Sequence, residues 1–89
     1  MRIKYDSDFL KTLKKVDVRI RNRFKERIAI FLKNPLDQQL NNHALKDQWV
    51  GYQSIDITND WRVIYTEKIE GEETIVYFFV LGTHEQLYK

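Results

Sequence analysis

The sequence predicts an α+β fold: two N-terminal helices packed on a small, mostly antiparallel four-stranded curved sheet, in the order β-α-α-β-β-β with a short C-terminal tail. Three observations predict it. Ile20, Phe24, Ile28, Phe31 and Leu32 recur at i, i+4, i+8, i+11 and i+12, the stripe of an amphipathic helix. Beyond residue 48 the apolar pattern shortens to strand-length runs separated by turn residues, "TND" and "EGEE". The last run, "TIVYFFVL", is apolar on both faces, as in a central strand. Layering two helices on one sheet buries all three patterns together.

In chain order, "RIKY" alternates briefly and reads as a first strand, stopped by "DSD". Asp6 or Ser7 is the N-cap of a helix with Phe9, Leu10, Leu13 and Val16 at helical spacing. Asp17 offers a fresh cap to the second helix. That helix stops at Asn34-Pro35, because the residue before proline avoids the helical region. Residues 6–33 should therefore form a helix pair, with Arg19, Arg21, Arg23, Lys25 and Arg27 on the flanks and back of the apolar stripe. "PLDQQLNNHALKDQ", residues 35–48, has no sustained period and reads as the longest connection. Strands follow at about 51–57, 61–67 and 74–81. In the first of these, Ile55 and Ile57 share one face, while Tyr52, Ser54 and Asp56 share the other.

The 89 residues fit one domain, 1–89, and 43% of them are hydrophobic, enough for a packed core. With no cysteine, disulfides and thiolate metal sites are excluded. "MRIKYDSDFLKTLKK" has no apolar run of signal-peptide or membrane-span type, so a cytoplasmic protein is expected. The net charge of +2 hides an asymmetry. Residues 1–34 hold eleven Lys/Arg against four Asp/Glu, a balance of +7, and residues 35–89 hold four against nine, a balance of −5. Such a half suits an anionic partner, or is a solvated face.

The residues able to do chemistry lie in the second half: His43, Asp56, Asp60, Trp61, Arg62, His84 and Tyr88. Hairpin pairing about the tight turn brings Asp56 beside residues 60–62, and the strand ending near Leu81 delivers His84 to the sheet's rim. Two imidazoles, two carboxylates, a guanidinium and a phenol suit phosphodiester cleavage in RNA through the neighbouring 2′-OH. Imidazole serves as either acid or base near neutrality, an arginine fork stabilises phosphoryl charge, and an aromatic ring stacks on an unpaired base. Plainer roles are open to each. His43 can be a loop histidine, Asp60 a turn residue, Arg62 the partner of a neighbouring carboxylate, and Tyr88 a lid on the core. Trp61 alternates with Val63 and Tyr65, the pattern of core packing. A Zn or Mn site from His43, His84, Asp56 and Asp60 has no recognisable ligand spacing.

From His43 to Tyr88, the blocks "H-x-L", "W-x-G-Y", "D-W-R-x-I-Y" and "L-G-T-H-x-x-L-Y" resemble the RelE/ParE superfamily of bacterial toxins, most closely its YafQ-like branch. Members of that branch are ribosome-dependent mRNA endonucleases, held inactive by an antitoxin encoded beside them. The resemblance implies acid–base roles for His43, Asp60 and His84, a catalytic role for Arg62, and RNA contacts for Trp61, Tyr88 and Asp56. It implies a cognate antitoxin and mRNA in the ribosomal decoding site as partners, with no cofactor, no metal and no membrane. Three positions depart from the pattern. Asp56 stands where the branch often has a catalytic histidine, and Gln53 and Val80 stand where arginines are common, which weakens the hold on a phosphate. Alternatives are a ParE-like gyrase inhibitor that cleaves nothing, a degenerate toxin retained as an antitoxin-binding module, and a basic nucleic-acid binder using the helix pair. The paired imidazoles argue against the first, since a binding inhibitor has no need of them.

Overall fold

The structure, a computed structural model, describes residues 1–88. Strand β1 (Arg2–Tyr5) leads into helices α1 (Ser7–Lys15) and α2 (Val18–Lys33). Asp6 caps α1 by accepting from the Asp8 N–H at 3.0 Å, and Asp17 caps α2 by accepting from the Arg19 N–H at 2.7 Å. Asn34 ends α2, as the following proline requires. Arg21 is drawn into the junction between the helices. Its Nε donates to the Leu13 carbonyl and its Nη2 to those of Lys14 and Val16, at 2.9–3.1 Å. These are carbonyls that the end of α1 leaves without helical partners. One of the residues read as basic surface is therefore a structural clamp.

The sheet has five strands rather than four, in the order β1-β5-β4-β3-β2. Strands β3 (Gln53–Asp56), β4 (Trp61–Glu70) and β5 (Glu73–Thr83) form an antiparallel meander, and β1 joins β5 in parallel. The additional strand is β2 (His43–Ala44), inside the long connection, paired antiparallel with β3. The strand expected from residue 51 starts only at Gln53. Asp47–Trp49 is a 3₁₀ turn, with φ +56° at Asp47, and Gly51 follows at φ +91°, a backbone that only glycine adopts without strain.

Strand β5 lies between two neighbours and buries Ile75, Val76, Phe78 and Leu81, but its apolar run is not covered throughout, since Phe79 stays exposed. On the helix side, Phe9, Phe24, Phe31, Tyr65 and Phe78 form an aromatic cluster with ring centroids 5.2–6.1 Å apart. Burial pushes the Tyr65 phenol up from its ordinary value, and its oxygen accepts from Asn42 Nδ2 at 2.6 Å, tying the long connection to this core. On the other side, the short helix α3 (His84–Leu87) lies against β5 at Gly82 and leaves the rest of that face more open. A β-bulge opposite Ile64 and Tyr65, whose partners are Val80 and Phe78, leaves Phe79 unpaired and half-exposed. Among the described residues no helix is long and apolar enough to cross a membrane.

Candidate active site

The register of the meander sets out the site. Asp56 lies opposite Arg62, Ser54 opposite both Ile64 and His43, and Arg62 opposite Gly82. Because side chains alternate along a strand, Trp61, Val63 and Tyr65 turn to the helix side and Arg62 turns away from it. The turn before β4 is tied locally: Thr58 Oγ1 accepts from the N–H groups of Asp60 and Trp61 at 3.3 and 3.0 Å.

Arg62 is held at several points. Its Nη1 donates to the carbonyls of Thr58 and Asn59 at 3.2 and 3.0 Å, and its Nε lies 3.1 Å from Asp56 Oδ1. The two side chains are 16% and 25% exposed, so this ion pair is screened less than a surface one. Asp56 Oδ1 is buried and has no directed hydrogen bond, so the contact with Arg62 is one of charge and proximity. Asn41 Nδ2 serves the other oxygen at 3.3 Å. Arg62 thus does pair with a neighbouring strand's carboxylate while still facing the open side.

His43 Nδ1 sits 2.9 Å from the Asn41 carbonyl oxygen. A carbonyl can only accept, so Nδ1 carries the proton and the neutral ring's lone pair is on Nε2. Asn41 reaches this position through a left-handed backbone, φ +48°, which asparagine tolerates better than most residues.

The tail is anchored by several independent contacts. Thr83 and Gln86 form a capping box at the start of α3, and the His84 N–H donates to the Asp60 carbonyl at 2.8 Å. Tyr88 donates its hydroxyl to Ser54 Oγ at 3.0 Å, and Trp49 Nε1 donates to the Leu87 carbonyl at 3.3 Å. Gly82 lets the tail lie against the strand, for a Cβ there would stand 3.0 Å from Leu87 Cδ2. The rings of His84 and Tyr88 meet with centroids 4.7 Å apart.

These anchors enclose a cleft of about 240 Å³ lined by Asn41, His43, Leu45, Arg62, His84 and Tyr88. Four of the residues singled out in the sequence therefore come together: His43, Arg62, His84 and Tyr88. Asp56 stands behind Arg62. Asp60 and Trp61 do not line the cleft. Asp60 reaches it through its main chain, and Trp61 packs half-buried against the helix-side core, as its alternation with Val63 and Tyr65 indicated. Among the described residues no three His, Asp or Glu side chains are grouped to hold a metal ion, so the Zn or Mn set is not assembled. The sequence reading missed Asn41 and the partnership of Tyr88 with Ser54. It also passed over Thr83-x-x-Gln86, a capping-box signature legible in the sequence.

The whole chain, residues 1–89, matches the model of a family described as the bacterial toxin of type II toxin-antitoxin systems, YafQ. A search of curated proteins gave no match. Among solved structures, E. coli YafQ is 26% identical, with all of both chains covered and a TM-score of 0.78. The toxin of the E. coli DinJ-YafQ toxin-antitoxin complex is also 26% identical, covering 98% of this chain and 96% of that one, with a TM-score of 0.73. The archaeal RelE-RelB complex of Pyrococcus horikoshii, at 20% identity, 92% coverage of each chain and a TM-score of 0.69, shares the fold.

Proposed function

The chain belongs to the YafQ family, the toxins of bacterial type II toxin-antitoxin systems, and on that premise we propose that it is a cytoplasmic endoribonuclease. Its substrate is mRNA on the ribosome, and its chemistry is attack by the RNA's own 2′-OH on the adjacent phosphorus. One observation supports the reading above others: two imidazoles and a guanidinium line a single cleft, with no carboxylate side chain among its described lining residues. A phosphodiester there meets positive charge and two groups able to move protons near neutral pH.

In the proposed step His43 Nε2 takes the 2′-OH proton, its Nδ1–H being held by the Asn41 carbonyl. O2′ bonds to phosphorus as the P–O5′ bond breaks, and His84, as imidazolium, gives O5′ a proton. The products are a 2′,3′-cyclic phosphate and a 5′-hydroxyl, with protons balanced between the two rings and no metal required. Arg62 has Nε and Nη1 engaged within the chain, which reserves Nη2 for the phosphoryl oxygens. Asp56 keeps that guanidinium in place, Asp60 seats His84 through its carbonyl, Trp61 supports β4 from below, and Tyr88 offers a ring for a base. A cognate antitoxin is the proposed protein partner, as DinJ is in the complex with E. coli YafQ.

A synthetic mRNA with 2′-deoxyribose at the cleaved nucleotide tests the chemistry, and it should resist completely while its all-ribose twin is cut. Cleavage of the deoxy substrate would overturn 2′-OH attack. Inhibition of gyrase with no RNA cut would establish the ParE-like alternative instead.

A further inference from the structure

Tyr88 borders two cavities. Besides the cleft that holds the histidines, it lines a neighbouring one of about 270 Å³ whose other walls are Lys46, Asp47, Gln48 and Trp49. The proposed chemistry leaves this second cavity unused. Its aromatic walls are fixed in place. The Trp49 indole is tied to the Leu87 carbonyl at 3.3 Å and meets the rings of Tyr52 and Phe79 at 5.5 and 6.1 Å, edge-on. Tyr88 is fixed by its bond to Ser54. Rings already immobilised lose little further side-chain freedom when a planar group stacks on them. Asp47, on the cavity's lip, holds φ +56° without being glycine, a backbone that persists where its surroundings enforce it and that gathers at ligand sites. Lys46 brings a cation, and the Gln48 amide offers a donor and an acceptor to the edge of a planar ring.

We propose that this cavity is a nucleobase subsite. It takes the unpaired base of a nucleotide flanking the cleaved bond, stacked on Trp49, with Lys46 on the adjoining phosphate and Gln48 at the base's edge. The inference rests on the ribonuclease reading and adds to it an element of sequence preference. Continuity through Tyr88 carries it: a single strand laid across that ring has its phosphate in the cleft and its neighbouring base in the cavity.

The test uses the full chain acting on ribosome-bound synthetic mRNAs in which each nucleotide around the cleaved bond is in turn made abasic. At one flanking position the wild type should lose about 5- to 150-fold in kcat/KM, the range expected for one base–aromatic stack. Trp49→Ala should lose a similar factor on unmodified mRNA and become indifferent to the abasic change there. Trp49→Phe keeps a stacking ring but cannot bond Leu87, so it should retain the abasic sensitivity, with a smaller loss in kcat/KM than Trp49→Ala and a lower melting temperature. Should Trp49→Ala unfold, the exposed Lys46→Gln combined with a methylphosphonate at the adjoining phosphate runs the same cycle, with non-additive penalties expected. A flat abasic profile in the wild type, an unchanged profile in Trp49→Ala, or additive Lys46 penalties would each overturn the subsite while leaving the nuclease intact. Failure of the wild type to cut unmodified mRNA would overturn both readings.

Discussion

Strand β4 serves two faces that obey different rules. Toward the helices, Val63 and Tyr65 are fully buried in a cluster of aromatic rings, and a single hydrogen bond from Asn42 satisfies the one polar atom of Tyr65. Away from them, Arg62 stands among Asp56, His43, His84 and Tyr88, and each of these is held by a directed contact to main chain or side chain. The apolar face is specified by volume and burial, and exchanges among rings of similar size disturb it little. The polar face is specified by bond geometry, so small displacements matter more there than lost area does.

Variants that strike one face alone separate the two rules. The largest effect is expected from His84→Ala, which should lower cleavage by about 10²–10⁴-fold, the usual worth of a general acid or base, while thermal unfolding stays near the wild type. Arg62→Ala follows at about 10²–10³-fold, by analogy with removal of one preorganised donor. Arg62→Lys should fare little better, because an ammonium cannot reproduce the fork that meets Asp56, Thr58 and Asn59 together. Phe31→Ala is the converse: denaturant titration should show a loss of about 3–5 kcal/mol, with kcat unchanged in the fraction still folded. Tyr88→Phe keeps a stacking ring and removes only the bond to Ser54, for a loss of about 0.5–1.5 kcal/mol in tail anchoring, visible as faster amide exchange in α3.

The smallest effect lies far from the site, at the cap of α2. The Arg19 backbone N–H and guanidinium hold the Asp17 carboxyl below its ordinary value. A carboxyl lowered on folding adds stability above its unfolded pKa, and that increment fades as pH falls through the folded one. Asp17→Asn should therefore melt slightly below the wild type at neutral pH, with the gap closing in acid. Melting curves at several pH values read this directly, and a gap that widens in acid would reverse the sign.

What the sequence could reveal followed from length of pattern. The stripe of α2 spans four turns and β5 is apolar on both faces, so both were legible. Asp17 and Asn34-Pro35 marked their boundaries by side-chain chemistry alone. The pairing of Asp56 with Arg62 was legible because a tight turn fixes register. Strand β2 was not, for two residues carry no period, and its pairing with β3 is a tertiary fact. The strand expected from residue 51 begins only at Gln53, because the positive φ values at Asp47 and Gly51 make a turn of the residues before it. Asp60 and Trp61 were grouped with the reactive residues by residue type and by their place beside the hairpin turn. Alternation sends Trp61 to the opposite face, and the contribution of Asp60 through its carbonyl is one that no side-chain identity announces.

The tight seat of the tail against Gly82 has a genetic consequence. In a selection for cells that survive expression of this chain, the recovered lesions should include Gly82 alongside the histidines, although glycine has no functional group to lose. Even a methyl there crowds Leu87 and Gln86 and lifts His84 and Tyr88 from their stations, while the aromatic core on the far side of the sheet stays intact. Survivors of that kind would carry a folded, disarmed protein, a starting point for selecting second-site revertants that lower the tail back into place.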